Sequence, residues 1–184
     1  MILHTPLDER VLGLHAGDRI LLSGTIFTAR DRAHERMLSE GIPFDPRGAV
    51  IYHSGPLVKE GRIVAAGPTT SARLDPFTPP LIEAGVRGVI GKGGMGADVA
   101  QALVGRGIYL AFTGGCAALA ASRMRLKGVI WEDLGMAEAI WIIELNELPL
   151  VVGIDAHGRS LYAEVHRTAE RAFAEREYGK DAIC

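Results

Sequence analysis

The sequence predicts a single α/β domain built around a mixed sheet. Short runs rich in valine, isoleucine and leucine alternate with glycine-rich turns and helical patterns, which is the order of elements expected of an α/β protein. The first third is dominated by strands and the middle alternates strand and helix. No Pro/Ser linker or low-complexity stretch divides the chain, so we expect one domain over residues 1–184.

The composition is that of an ordinary globular protein and argues against several classes of function. Of the 184 residues, 48% are hydrophobic and 23% are charged, which is enough for one sizeable core. The formal net charge of −2 and the pI near 6.3 argue against a broad attraction to nucleic acid or anionic lipid.

The same sequence favours a reducing, cytoplasmic location. No apolar run approaches the ~20 residues that span a bilayer, so no membrane partner is expected. Charged residues at 8–10 interrupt the N-terminus before a signal-peptide core could form. Two cysteines, Cys116 and Cys184, are too few for a disulfide framework.

Strands are predicted where short β-branched runs are bounded by turn residues. They cover Arg19–Phe27, Gly48–His53, Arg62–Ala66, Val86–Ile90, Ile108–Phe112, Val129–Glu132, Ile140–Glu144 and Leu150–Ile154. The turn at Gly61, between the second and third of these strands, favours their antiparallel pairing.

Helices are predicted from apolar spacing and from residues that begin or end a helix. They cover Arg30–Glu40, Thr78–Glu83, Ala97–Val104, Ala117–Arg123 and Ser160–Tyr178. Thr78 followed by Pro79 predicts an N-cap with proline at the first helical position. In the last helix, apolar residues recur at four-residue steps from Leu161 to Phe173, which predicts an amphipathic helix.

A glycine-rich segment, GKGGMG from Gly91 to Gly96, is the first candidate site. Its glycine spacing matches dinucleotide-binding loops, but no acidic residue lies between Asp98 and Glu132 to hold the ribose, so a dinucleotide is disfavoured. A loop that leads into a helix N-terminus still suits an anion, with the Lys92 ammonium in its midst. Only four of the 20 basic residues are lysine, which favours a positioned charge here over a solvated turn.

The segment GPTTSAR is the second candidate and follows directly after a predicted strand. Thr69, Thr70 and Ser71 supply three consecutive hydroxyls, and Arg73 can bind a carboxylate or phosphate with two parallel hydrogen bonds. A local turn in which the hydroxyls bond to the backbone is the alternative.

The segment TARDRAH, at the start of the first helix, is the third candidate. Helical spacing places Arg30 and His34 on one side and Arg32 on another, with Asp31 in the first turn. Taken alone, such a charged turn is more often a solvated surface.

The sequence does not predict a metal site or a covalent nucleophile in this chain. No histidine pair has the spacing of common metal sites, and a lone Cys116 is more often a packing residue than a ligand. No nucleophile-elbow pattern is present either.

Six motifs together resemble the β subunit, or C-terminal domain, of the class I fumarase and L-tartrate dehydratase family. They are GTIFTARDRAH, YHSGP, GPTTSAR, GKGGMG, FTGGCAALAA and WEDLGM with LPLVVGIDAHG, in this order. The resemblance covers the chain roughly from Leu7 to His157. It implies the family's swivelling β/β/α type of fold, which agrees with the mixed order of strands and helices.

The resemblance also implies an activity, a cofactor and a partner. Members of the family are iron–sulfur hydro-lyases of C4 dicarboxylates. A [4Fe–4S] cluster is held by three cysteines of the α subunit, and a higher hetero-oligomer is expected. By motif, Arg30, Arg73 and Lys92 look like substrate contacts. Thr69 would approach the carbon that is deprotonated, with Thr70 and Ser71 in support, while Asp31 and His34 are secondary candidates.

We therefore predict the β subunit of a fumarate hydratase of the tricarboxylic acid cycle, inactive alone, that interconverts fumarate and L-malate. The same subunit of an L-tartrate dehydratase is the closest alternative, because the shared motifs recognise carboxylates and do not separate the two substrates. A non-catalytic module that binds a dicarboxylate or serves assembly is the second alternative.

Overall fold

A computed structural model describes residues 1–178 of the chain. The strands are β1 (Ile2–His4), β2 (Arg19–Thr28), β3 (Val50–Tyr52), β4 (Leu57–Lys59), β5 (Arg62–Ala65), β6 (Gly88–Gly91), β7 (Ile108–Ala111), β8 (Met124–Ile130) and β9 (Ile140–Ile154). The α-helices are α1 (Asp31–Glu40), α2 (Thr78–Glu83), α3 (Ala97–Leu103), α4 (Ala117–Ala121) and α5 (Leu161–Tyr178).

Seven strands form one mixed sheet that closes into a partial barrel. Their order is β1-β2-β3-β6-β7-β9-β8, and β9 pairs with β2 as well as with β7 and β8. The neighbours from β1 to β7 run parallel, whereas β9 is antiparallel to each of its partners. The α/β class and the mixed sheet predicted from the sequence are confirmed.

The core lies in two layers, one inside the barrel and one beneath the helices. Leu22, Ile26 and Ile143 are fully buried in the first layer. In the second layer, Met37 of α1 and Leu103 of α3 belong to the cluster that covers the outer faces of the parallel strands. Strands covered on both faces lose the apolar–polar alternation of a half-exposed sheet, and every residue of β3 and β6 is buried.

The predicted pairing of Gly48–His53 with Arg62–Ala66 is wrong. The strand β3 is parallel to both β2 and β6. The turn at Gly61 instead joins β5 to the short strand β4, which was not predicted from the sequence. A tight turn specifies only that its two flanking segments pair, and the segment directly before Gly61 is β4.

Three boundaries also differ from the predictions. Ile140–Glu144 and Leu150–Ile154 form the single strand β9. The strand β8 starts five residues earlier than predicted and ends before Trp131, whose φ of 56° is outside the extended range. Thr78 is not the N-cap of α2, because Phe77 occupies that position and the Thr78 hydroxyl donates to the Leu74 carbonyl.

The predicted C-terminal helix is present, but its apolar stripe is not packed against the domain. Leu161 and Tyr162 in its first turn are partly buried, whereas Val165 and Phe173 are 68% and 65% exposed. No helix within residues 1–178 has the length and apolarity needed to cross a membrane.

The buried carboxylate of Asp155 joins the end of β9 to two turns. It accepts hydrogen bonds from the backbone amides of Ala16, His157 and Arg159, at 2.9, 3.0 and 3.0 Å. Burial alone would raise the pKa of Asp155, but these three amides outweigh it and hold the pKa below its usual value. The charged form therefore stabilises the fold at neutral pH, and this contribution is lost as the pH falls through the lowered pKa.

We predict that Asp155→Asn lowers the free energy of unfolding by about 1.5–3 kcal/mol, because hydrogen bonds to a charged group are weakened and an amide NH₂ is placed among donors. Urea unfolding at pH 7 measures the change. Asp18→Asn is the matched control, since Asp18 caps the His15 amide at an exposed turn. An equal loss in the two variants would contradict the role given to Asp155.

Candidate active site

A short backbone bridge between two distant loops forms the centre of the candidate site. The amide of Lys92 donates to the Thr69 carbonyl at 3.2 Å, and the amide of Ser71 donates to the Lys92 carbonyl at 3.0 Å. Thr70 and Lys92 therefore pair like residues of parallel strands. The GPTTSAR and GKGGMG motifs, separated in sequence, are adjacent in the fold.

The hydrogen bonds of Arg73 join the second and third candidate segments. Its Nη2 donates to the Thr69 hydroxyl at 3.0 Å and to the Asp31 carboxylate at 3.1 Å. The Arg73 side chain is 48% exposed, so the remaining guanidinium edge is accessible from solvent. The Thr69 hydroxyl and the Asp31 carboxylate therefore both bind Nη2 of Arg73.

Arg30, which directly precedes α1, also pairs with the Asp31 carboxylate that binds Arg73. Its Nη2 lies 4.0 Å from the Asp31 carboxylate, and its Nε lies 3.5 Å from the Glu138 carboxylate. The Nε contact is an ion pair without hydrogen-bond geometry. Glu138 also accepts a hydrogen bond from the Arg32 amide at 3.0 Å, within the first turn of α1, so one carboxylate holds both the helix start and the arginine that precedes it.

A glycine makes room for Arg30. A Cβ on Gly55 would lie 2.4 Å from the Ala137 carbonyl oxygen and 3.0 Å from Cδ of Arg30. The close approach of the loop after β3 to the segment before β9 therefore depends on a residue without a side chain.

Lys92 is exposed beside the bridge. A Cβ on Gly114 would lie 3.0 Å from Cδ of Lys92, so the loop after β7 limits where the lysine chain can lie. At the N-terminus of α3 the Asp75 carboxylate accepts from the Gly96 amide at 3.0 Å, so one amide of the predicted anion-binding loop is already paired.

Two of the predicted site residues are buried beneath the surface. Ser71 and His34 are fully inaccessible to solvent, so neither side chain lies on the open surface where Arg73 and Lys92 are exposed. Nδ1 of His34 lies 2.7 Å from the Arg30 carbonyl, and burial lowers the pKa of this imidazole to about 4. His34 is therefore neutral near pH 7 and supports the Arg30 backbone.

The structure thus assembles most of the residues predicted from the three motifs. Thr69 is partly buried and Thr70 is exposed beside it. Three residues that were not predicted from the sequence also contact the site: His53, Tyr109 and Glu138. His53 belongs to the YHSGP motif, which could have marked it as a site residue. Tyr109 and Glu138 lie in no such motif.

The described residues offer no ligand set for an iron–sulfur cluster. Within residues 1–178, no group of three or more His, Cys, Asp and Glu side chains could hold a metal ion. Cys116 is partly buried, and its sulfur accepts a hydrogen bond from the Thr113 hydroxyl.

Comparison with known proteins assigns the chain to a family. The family model described as the fumarase C-terminus matches residues 2–165. The chain belongs to this family. The match includes every residue of the site described above.

Individual relatives carry two kinds of name. The chain is 40% identical to the L(+)-tartrate dehydratase subunit beta of Escherichia coli (strain K12) over 186 aligned positions, which cover 95% of this chain and 90% of that protein. It is 39% identical to a protein of Methanocaldococcus jannaschii that provisionally carries the same name, over 84% of this chain and 86% of the relative.

A third relative is a longer protein. The chain is 35% identical to a protein of Geobacillus stearothermophilus provisionally named fumarate hydratase class I, over 88% of this chain but only 33% of the relative. The comparisons therefore establish the tartrate dehydratase and class I fumarase family. Some of these relatives are named for tartrate and one is named for fumarate.

Two buried histidines, His34 and His53, should make this protein less stable in mild acid. Burial lowers the pKa of His53 well below 6.5, and His34 nearby lowers it further. The unfolded chain, whose histidines titrate near 6.5, then binds more protons than the folded chain.

We predict that the free energy of unfolding falls as the pH decreases from about 6.5 towards 4. The slope contributed by each of these histidines approaches 1.4 kcal/mol per pH unit, about one proton. Urea unfolding at several pH values measures the slope, and His34→Asn should reduce it. A slope unchanged by the substitution would show that His34 already binds its proton in the folded chain.

Proposed function

We propose that this chain supplies the carboxylate-binding half of an iron–sulfur hydro-lyase that acts on a C4 dicarboxylate. The observation that carries the proposal is that three cations from separate segments meet at one place. Arg73 donates to the Thr69 hydroxyl, Arg30 shares the Asp31 carboxylate with Arg73, and the Lys92 amide binds the Thr69 carbonyl. Family membership supports the reaction class.

The charges of the site match those of the proposed reaction. A C4 dicarboxylate carries two negative charges near neutral pH, and removal of a proton beside one carboxylate places a third on that group. Arg30, Arg73 and Lys92 offer three positive charges, which Asp31 and Glu138 partly offset in the free chain. A preorganised donor that meets developing charge in a water-excluded site is worth about 3–4 kcal/mol of barrier, so each cation contributes most in the transition state.

Thr69 is the proposed group that approaches the reacting carbon. A threonine hydroxyl is a poor base, but a guanidinium that donates to its oxygen favours the deprotonated form, and Arg73 makes that bond. The proton still needs an acceptor. Asp31 shares the same Arg73 nitrogen and so keeps one carboxylate near Thr69, while the acceptor itself is proposed to lie on the partner.

The partner is proposed to be an α subunit, because the relatives at 39–40% identity are named subunit beta. The described residues have no ligand set for the cluster, so the [4Fe–4S] group would be held by cysteines of that subunit. When bound, it supplies a Lewis acid for the departing hydroxyl. The side chains of Lys92, Thr70 and Arg73 are exposed, which leaves this face open for the second half of the site.

The names of the relatives move the preferred substrate from fumarate to L-tartrate. The relatives at 39–40% identity are named tartrate dehydratase subunits, and the one at 35% is named a fumarate hydratase. Dehydration of L-tartrate to oxaloacetate is therefore our leading assignment, with hydration of fumarate to L-malate as the second. One hydroxyl separates L-tartrate from L-malate, and a side chain that bonds it sets such specificity.

Anaerobic reconstitution tests the proposal. The chain is combined with a partner protein that bears three cluster-ligating cysteines, and turnover is measured with L-tartrate, L-malate and fumarate. We expect turnover only in the reconstituted complex, with L-tartrate preferred. Tight dicarboxylate binding by the chain alone, without turnover in the complex, would support the non-catalytic module instead.

We predict that Arg73→Ala and Lys92→Ala each lower kcat/KM at least 100-fold in the reconstituted complex, because each removes a charge that meets the developing anion. Arg47→Ala and Lys127→Ala are matched controls, since both residues are exposed cations outside the site, and both should keep kcat/KM within about twofold.

Size-exclusion chromatography and thermal unfolding establish that each variant still folds and binds its partner. Wild-type turnover in either Arg73→Ala or Lys92→Ala would overturn the role given to that residue.

A further inference from the structure

A fully buried chain of polar side chains runs beneath the candidate site. Nδ1 of His53 lies 2.9 Å from the Ser71 hydroxyl oxygen. The Tyr109 hydroxyl lies 3.1 Å from the same oxygen and 2.7 Å from the Gly93 carbonyl. His53, Ser71 and Tyr109 are each inaccessible to solvent, although polar groups in a core are stable only when they are paired.

The number of available protons decides which group donates in each of these hydrogen bonds. The Gly93 carbonyl can only accept, so Tyr109 spends its one proton there. The Ser71 hydroxyl then donates to the Tyr109 oxygen, and Nδ1–H of His53 donates to the Ser71 oxygen. Every hydrogen in the chain is used once, and Nε2 of His53 is left as the unpartnered, unprotonated nitrogen. The lowered pKa of His53, caused by burial, agrees with this neutral ring.

The hydrogen-bonded side chains leave no room for a side chain at Gly91. A Cβ on Gly91 would lie 1.7 Å from the Ser71 hydroxyl oxygen and 3.0 Å from the Tyr109 hydroxyl. Gly91 ends β6 and directly precedes Lys92. The Ser71 side chain therefore packs against the backbone that delivers Lys92 to the surface.

The buried side chains and the backbone bridge together fix the backbone before and after the Lys92 side chain. Ser71 binds the Lys92 carbonyl through its amide, and Tyr109 binds the carbonyl of the next residue, Gly93. His53 also holds Thr69 directly, because its carbonyl accepts the Thr69 amide at 2.7 Å. His53 after β3, Gly91 at the end of β6 and Tyr109 within β7 thus fix the two backbones that carry the Lys92 and Thr69 side chains.

We propose that His53, Ser71 and Tyr109 form a positioning unit that sets Thr69 and Lys92 at a fixed separation for the reaction. Ser71 acts from below the surface and not as a contact to substrate. The inference rests on the proposed function for its kinetic consequences, because a shift of about 1 Å in a reacting group can lower a rate 100-fold. Its structural part stands on the buried contacts alone.

Tyr109→Phe is the central test, made in the full chain reconstituted with its partner. The ring remains and only the hydroxyl is lost, so both of its contacts disappear. We expect kcat to fall at least tenfold while KM changes less than threefold, because the cationic groups remain present but lose their fixed geometry.

Tyr52→Phe is the matched control. Tyr52 is equally inaccessible and its hydroxyl also donates to a backbone carbonyl, that of Ala66, at 2.7 Å. Both variants should lose similar thermal stability, but Tyr52→Phe should keep kcat within twofold. An equal fall of kcat in both variants would reduce Tyr109 to an ordinary core residue and overturn the inference.

Amide hydrogen exchange supplies a readout that does not need turnover. The Ser71 and Lys92 amides should exchange at least tenfold faster in Tyr109→Phe than in Tyr52→Phe, since the bridge they form is released. Equal protection in the two variants would overturn the positioning unit. If the wild-type complex turns over no dicarboxylate, the proposed function fails, while the exchange result still decides this inference.

A substitution at His53 keeps the test decisive if Tyr109→Phe does not fold. Asparagine can place a donor where Nδ1 lies, whereas leucine cannot. We expect His53→Asn to retain at least tenfold more kcat than His53→Leu and to protect the Ser71 amide better. Equal kcat and equal exchange in these two variants would contradict the hydrogen bond to Ser71 as the operative contact.

Discussion

The parallel backbone bridge between Thr70 and Lys92 is the constraint on which the site depends. It joins the loop after β5 to the end of β6, and it places the Thr69 hydroxyl and the Arg73 guanidinium of one loop beside Lys92 of another. The sheet makes this possible, because β3, β6 and β7 run parallel and side by side. Their carboxyl ends lie at one edge, where ligands of α/β sheets commonly bind.

Acidic residues balance the cations in the free chain. Asp31 lies between the guanidiniums of Arg30 and Arg73, and Glu138 holds Arg30 from the other side. The dianionic substrate proposed above would replace the partial neutralisation that Asp31 provides. The site is open and its groups are substantially exposed, so one wall must come from elsewhere if water is to be excluded during the reaction. The partner subunit proposed above would supply that wall without any conformational change in the domain.

Local patterns in the sequence predicted the positions of the strands and helices better than they predicted which strands pair. Most strands and helices lie where β-branched runs and apolar spacing placed them. The pairing of β3 could not be read from the Gly61 turn, because β3 is specified by burial on both faces and by strands far along the chain. The predicted split of β9 had a similar origin: the segment NELP at 146–149 interrupts the apolar pattern, whereas the long pairings with β2 and β8 make one strand.

The same distinction applies to the site. Arg30, Thr69, Arg73 and Lys92 could be named because each lies in a recognisable motif. Ser71 and His34 lie in the same motifs yet face inwards, and no local feature of the sequence separates an inward hydroxyl from an outward one. Glu138 and Tyr109 act across about 40 to 110 residues of chain, and such long-range contacts become visible only in the folded protein.

The most direct measurement of the central claim is a crystal structure of the reconstituted complex with succinate, an unreactive C4 dicarboxylate. The account predicts that the two carboxylates of succinate contact Arg30, Arg73 and Lys92, with the ligand carbon chain beside the Thr69 hydroxyl. Succinate bound with both carboxylates away from these three cations would contradict it.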